Sequence, residues 1–277
     1  MANDPPALDE DGDAPTSMGV PKALPVFPRE FAPGAFWFSG CLRITVNGKD
    51  LHNHNSCFLL LGDKQSVLID TAPPFAWDYF WPQLLKALGG RRLDYIFPTH
   101  PEAPHMGNLG RLLRAFPDAK VIGDTRNYEL YVPEAAHRLQ PMGPGEKMDL
   151  GGSTFVVVPA VVHDLVNTLW AYEEERKILF VSDGYPYTHD HREGECAMTS
   201  NELAQLPRVE DTRVVIEGAL GWTRYVDAQI TIDKLRALLA EYPADIIAPT
   251  HGGVIMNARE LTDVFETGLR QANEARP

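Results

Sequence analysis

The sequence predicts an α/β fold in one domain. Two observations carry this reading. β-forming runs and amphipathic helical stretches alternate in both halves of the chain, and neither an internal repeat nor a second hydrophobic unit is visible. A third concerns chemistry: several of the apolar runs end in histidine, aspartate or glutamate.

In chain order, residues 35–47 (AFWFSGCLRITVN), 55–62 (NSCFLLLG) and 66–70 (SVLID) are rich in β-formers. GDK turns the chain between the last two, so a meander is expected. After Pro73 and Pro74, the side chains of Trp77, Phe80, Trp81, Leu84, Leu85 and Leu88 recur at helical spacing. Gly89 and Gly90 close that helix. LDYIFPT (93–99) is a buried strand, 106–115 reads as a helix, 119–123 as a strand and 125–138 as another helix. β segments follow at 146–150, 153–160, 168–174 and 177–182. A helix is expected over 226–242, a strand over 245–250, and a last helix over 257–272 that presents Leu261, Val264, Phe265 and Leu269.

Composition narrows the partners. With 277 residues, 44% of them hydrophobic, the chain is globular, and its formal net charge of -13 argues against nucleic acid or an anionic membrane surface. No apolar run approaches the roughly 20 residues of a membrane span. The N-terminus, MANDPPALDEDGDAP, lacks the basic and apolar regions of a signal peptide. Residues 1–25 are therefore expected to form a disordered acidic, Pro-rich tail ahead of a single domain at 26–277. Cys41, Cys57 and Cys196 are scattered and odd in number, which fits a reducing cytoplasm better than a disulfide framework. Cys196 lies close to His191 in sequence and reads as a chance surface neighbour.

The informative residues sit where predicted strands give way to loops. PTHPEAPH supplies His100, Glu102 and His105, the turn after VVVPAVV supplies His163 beside Asp164, KILFVSD ends in Asp183, and IIAPTHGG delivers His251. Taken singly, each has an ordinary explanation. His163 is a loop residue, Asp183 caps a turn, and His100 with Glu102 forms a solvated loop. Together, ligand-type side chains at four such junctions point to a metal site along one edge of the fold. His52, His54, His137, His189 and His191 lack this placement; His189 and His191 line a pocket at most. A His-x-Glu pair turns two ligands to one side of an extended loop, and with His163 and Asp183 it makes a nitrogen and oxygen set. Such a set suits iron, manganese or zinc, while the absence of thiolate speaks against a structural zinc. Asp183 can bridge to a second ion held by His105 and His251, paired ions of this kind lying roughly 3.5–4 Å apart.

These blocks resemble the metallo-β-lactamase superfamily. Within it the likeness is to the diiron domain of flavodiiron proteins and their stand-alone oxygen-binding relatives, which carry glutamate at the second motif position, as Glu102 does here. The likeness covers about residues 50 to 255. It includes NSCFLLLGDKQSVLIDT, with Asp70 at the structural aspartate position, then LDYIFPTHPEAPHMGNLGRLL, KMDLGGSTFVVVPA, HDLVNTLWAYEEERKILFVSDGYPY and APTHGG. The resemblance implies a four-layer αβ/βα metallo-β-lactamase sandwich with the site between two sheets. It implies one ion on His100, Glu102, His163 and Asp183, and a second on His105, Asp183 and His251. The family pattern has aspartate where this chain has Pro104, which brings no donor atom. Either the second ion binds weakly with an open position, or one tight metal binds alone. No flavodoxin-like segment is seen, so one or two transition-metal ions, iron foremost, are expected without FMN in this chain. Likeness to flavodiiron proteins also suggests a homodimer, and Pro104, if it marks a decayed site, a hetero-oligomer with a paralogue.

Three functions compete. The leading expectation is a metal-dependent hydrolase, in which metal-bound water attacks a small electrophilic substrate. Asp183, Asp164 and His105 carry the catalysis on this view, and Trp170, Tyr185 and Tyr187 line a pocket or, failing that, simply pack in the core. The second is a non-haem diiron protein that binds or reduces O2 or NO with an external electron donor. The third is a partly degenerate subunit paired with an active paralogue.

Overall fold

The computed structural model describes residues 26–46 and 48–274; the expected N-terminal tail lies outside the described residues. Two short strands, β1 (Arg29–Ala32) and β2 (Ala35–Phe38), lead into a ribbon of β3 (Cys41–Val46) and β4 (Lys49–His54). The expected continuous strand over 35–47 is broken because Gly40 lies against the Tyr79 ring, where a Cβ would come within 2.6 Å. β5 (Cys57–Leu61) and β6 (Ser66–Ile69) form the meander. Helix α1 (Trp77–Leu88) follows and ends on Gly89 in the left-handed conformation. Next come β7 (Tyr95–Phe97), the one-turn helix α2 (Ala103–Met106), α3 (Leu109–Ala115) and β8 (Lys120–Gly123).

The helix expected over 125–138 is instead two 3-10 turns, Tyr128–Leu130 and Pro133–Arg138. Pro133 explains the break: it has no N–H and disfavours helical geometry in Val132, whose φ is -133°. A short β9 (Leu139–Pro141) completes the first half. The second half runs β10 (Lys147–Asp149), β11 (Thr154–Pro159), β12 (Leu169–Glu173), β13 (Ile178–Phe180), α4 (Val209–Ala219), α5 (Ala228–Glu241), β14 (Ile246–Ala248) and α6 (Ala258–Glu274).

The strands form a seven-stranded sheet, β1-β2-β5-β6-β7-β8-β9, and a five-stranded sheet, β10-β11-β12-β13-β14. Period-two alternation assigns their faces. In β5 and β6, Phe58, Leu60, Val67 and Ile69 pack with Phe97, Phe155, Val157 and Phe180 between the sheets. Leu59 and Leu68 point the other way, onto α1 and α3. On the far side Val156, Val158, Leu179 and Val181 pack on residues of α4, α5 and α6. Helix, sheet, sheet and helix make four layers, the architecture that the family resemblance implied.

β6 pairs with β7 in the middle of the larger sheet, and β13 pairs with the edge strand β14 in the smaller one; both pairs run parallel. Their C-terminal ends release the chain on the same edge, which is where such sheets gather ligands. Asn108 shapes that edge: its Nδ2 lies 2.9–3.0 Å from the carbonyls of Thr71, Ala72 and Pro73, which follow β6. We expect Asn108→Ala to cost about 1–3 kcal/mol by leaving these buried groups unpaired. Denaturant unfolding checks this, and an unchanged midpoint would mean that the loop holds itself.

Candidate metal centre

Each ligand-type side chain is delivered by a strand end. His100 follows β7, Asp183 follows β13, and His251 follows β14. The chain past β7 turns into α2, whose first turn places His105 beneath the sheet edge, fully buried. Pro104 falls in that first turn, a position that tolerates proline because no helical partner awaits its missing N–H.

Asp183 stands at the centre. Its Oδ1 is 3.2 Å from His105 Nε2 and 3.2 Å from His251 Nε2, while its Oδ2 is 3.6 Å from His100 Nδ1. His100 Nε2 faces Glu102 Oε2 at 3.5 Å. Ligand atoms of His100, His105 and Asp183 all lie within 4.8 Å of one another, and so do those of His100, Glu102 and Asp164. The structure thus brings together five of the six expected ligands. His163 is the exception: it is exposed, and its ring stacks on Trp222 with centroids 5.5 Å apart. Asp164, expected as an outer partner or proton acceptor, turns toward His100 and Glu102 instead. Which of two adjacent loop residues turns inward depends on Trp222, far along the chain, so motif spacing gives no sign of it.

The three converging imidazoles are held from behind. His105 Nδ1 donates to Asp70 Oδ2 at 2.9 Å and His251 Nδ1 to the His54 carbonyl at 3.3 Å, and His100 Nδ1 shares a hydrogen bond with Ser182 Oγ at 3.2 Å. Such back-side partners orient the rings and turn each Nε2 inward, as metal-ligating histidines require. Burial pushes the His100 imidazole down to about 4, so it is neutral. His105 behaves differently. Burial opposes its charging, but Asp70 and Asp183 outweigh burial and raise it to about 10. Burial would raise Asp183, yet His105 and His251 hold its carboxyl well below the ordinary range. Burial and, next, the charge of Asp183 raise Asp164.

A metal fits this donor set. His105 Nε2 is buried and, despite its approach to Asp183, makes no aligned hydrogen bond. The nitrogen sits between carboxylates in a field that favours positive charge, which a cation would supply. Trp170, Tyr185 and Tyr187, by contrast, are core residues at 0–2% exposure. A cavity of about 330 Å³ adjoins Glu102, lined also by Met106, Gly107 and Tyr131.

A profile of the Metallo-beta-lactamase superfamily matches residues 52–251. The chain belongs to this superfamily. Among its relatives, a flavo-diiron protein of Clostridium acetobutylicum is 22% identical over 210 residues, covering 71% of this chain and 48% of that protein. An anaerobic nitric oxide reductase flavorubredoxin of Vibrio vulnificus is 24% identical over 219 residues, covering 77% of this superfamily member and 42% of the relative. The rubredoxin oxygen:oxidoreductase structure from Desulfovibrio gigas superposes with a TM-score of 0.71 at 18% identity, over 90% of this chain and 62% of that one. The chain spans about a third to a half of the length of the curated relatives it matches. These relatives correct the hydrolase expectation: none of those described is named as a hydrolase, and the flavorubredoxin is named as a nitric oxide reductase. The donors alone misled here, because one set of nitrogen and oxygen ligands serves metal-bound water and redox metals equally. Among the described residues no helix is long and apolar enough to cross a membrane.

The raised His105 has a consequence for the metal-free protein. Its contribution to stability is complete below about 6.5, its unperturbed value, and is lost as pH rises toward about 10. The stability gap between the wild-type chain and His105→Gln, both metal-free, should therefore shrink across that window. A gap independent of pH would mean that His105 is neutral in the folded protein.

Proposed function

We propose that this chain is the metal-bearing module of a non-haem diiron oxidoreductase that binds or reduces O2 or NO, using electrons from an external donor. The observation that carries the reading is the Asp183 carboxylate, which presents one oxygen to His105 and His251 and the other to His100. Names of the relatives support the redox class, one of them a flavo-diiron protein and another a nitric oxide reductase.

On this reading His100, Glu102 and Asp164 hold one iron, His105 and His251 hold the other, and Asp183 bridges. Iron there would supply reversible one-electron chemistry and open coordination positions for a diatomic ligand. The chain's own groups do the rest. Asp70, Ser182 and the His54 carbonyl keep the three imidazoles aimed, so little reorganisation accompanies a change of metal charge. Pro104 contributes no donor, which leaves the His105 side with room for an exogenous ligand. Glu102, half exposed, stands at the solvent side beside the cavity. A small-molecule substrate, a soluble electron donor and self-association belong to the same proposal, as does a single domain over 26–277.

The test is anaerobic iron loading, elemental analysis, and consumption of O2 or NO by the chemically reduced protein. We expect about two irons per chain, as in two-metal sites generally. Consumption should exceed that of the metal-free chain and disappear in Asp183→Ala. Asp164→Ala should lower iron content and His163→Ala should not. Reduced, iron-loaded protein that leaves both gases untouched would overturn the reading, and failure to take up iron would favour a degenerate subunit.

A further inference from the structure

A second group of metal-ligating side chains lies outside the centre described above. Cys41, from the first residue of β3, has its Sγ 3.1 Å from His191 Nε2 and 2.8 Å from His52 Nδ1. Cys196 Sγ lies 3.4 Å from the same His191 Nε2. The ligand atoms of Cys41, His191 and Cys196 all fall within 4.8 Å of one another. We propose that Cys41, His191 and Cys196 form a thiolate site for a zinc-class divalent cation, with His52 beside its fourth position, that clips the β3–β4 ribbon to the loop over 184–198.

Geometry and tautomer both support this. In a tetrahedral zinc site with Zn–S about 2.3 Å and Zn–N about 2.0–2.1 Å, neighbouring ligand atoms lie about 3.5–3.8 Å apart. The spacings of 3.4 Å, 3.1 Å and 2.8 Å here fall about 0.1–0.7 Å short of that range, so the donors would spread outward by that amount around an ion. His191 Nδ1 donates to the Arg192 carbonyl at 2.7 Å, so its Nε2 lone pair faces the two sulfurs. The ring plane is held by a stack: His54 on His189 at 4.8 Å, and His189 on His191 at 5.0 Å. His54 and His189, both buried, leave Nδ1 without a hydrogen-bond partner, so the surroundings hold uncommitted imidazole nitrogens. Metal binding would release the two thiol protons to solvent and leave a neutral set of M²⁺, two thiolates and one imidazole.

The clip has a mechanical purpose. The β3–β4 ribbon belongs to neither large sheet, and His52 ties it to His189 through paired backbone hydrogen bonds of 2.9 and 3.0 Å. β4 ends in His54, whose carbonyl faces His251 Nδ1. Fastening the ribbon at Cys41 and the loop at His191 and Cys196 would fix that carbonyl relative to the diiron centre.

Cobalt substitution tests this independently of the proposed redox function, because nitrogen and oxygen donors give no sulfur-to-metal absorption. The full-length chain, reduced and stripped of metal, would be titrated anaerobically with Co²⁺. We expect a thiolate-to-cobalt charge-transfer band saturating at one ion per chain, retained in Asp183→Ala and lost in the Cys41→Ser/Cys196→Ser double variant. Should the double variant not fold, His191→Gln should weaken cobalt uptake at the sulfur band by more than the roughly 10–100-fold that a lost outer partner costs. Absence of the band in the wild-type chain would overturn the proposal. So would its persistence in the double variant, where Cys57 remains, or peptide mapping that finds Cys41 and Cys196 joined as a disulfide after anaerobic isolation.

Discussion

The Asp70 carboxylate accepts hydrogen bonds from the ends of three separate segments. Thr99 N–H and Thr99 hydroxyl donate to Oδ1 at 2.8 and 2.9 Å, and the Thr250 hydroxyl and His105 Nδ1 reach Oδ2 at 2.9 Å each. A charged acceptor that is 1% exposed must find such partners or lose its hydration uncompensated. The result is that β6, β7 and β14 cannot shift relative to one another without breaking a buried, charge-assisted bond. Backbone strain is concentrated at the same edge. Asp70, Ala72 and Ser182 all have φ between 50° and 60°, a conformation that side chains bearing a Cβ adopt at a cost of order 1–3 kcal/mol. The packed sandwich supplies the stability that tolerates it.

From that anchor the site's electrostatics follow. Asp70 and Asp183 flank His105, and a site with two buried carboxylates calls for positive charge between or beside them. In the metal-free chain the His105 proton meets this demand; in the loaded protein a cation would. The same logic explains why three imidazoles have their outward nitrogens engaged by a carboxylate, a hydroxyl and a carbonyl. Three different partners, drawn from β4 and from the segments after β6 and β13, serve one end: each ring is held with its Nε2 turned inward.

Much of this could be read from the chain. His100, Glu102, His105, Asp183 and His251 were legible because each follows an apolar run directly, and a strand end leaves little freedom in where its next residues go. The β5–β6 meander and α1 were legible for a similar reason, since alternation and helical spacing are local. What escaped depended on distant contacts. α4 was missed because VEDTRVVIEGA mixes β-branched and charged residues without a clean apolar stripe. His163 turns outward onto Trp222 while Asp164 lies beside His100 and Glu102, an arrangement set by a contact far along the chain. Cys196 beside His191 reads in the sequence as a chance surface pair, because their meeting with Cys41 and His52 relies on β3 pairing with β4 and on an irregular loop returning over both. Chemistry was the least legible layer, since donor types do not distinguish hydrolysis from electron transfer.

Anomalous diffraction at the iron edge from crystals of the iron-loaded chain tests the central claim most directly. Two peaks are predicted, one on each side of the Asp183 carboxylate, the first beside His100, Glu102 and Asp164 and the second beside His105 and His251. A lone peak, or iron bound away from Asp183, would contradict the account.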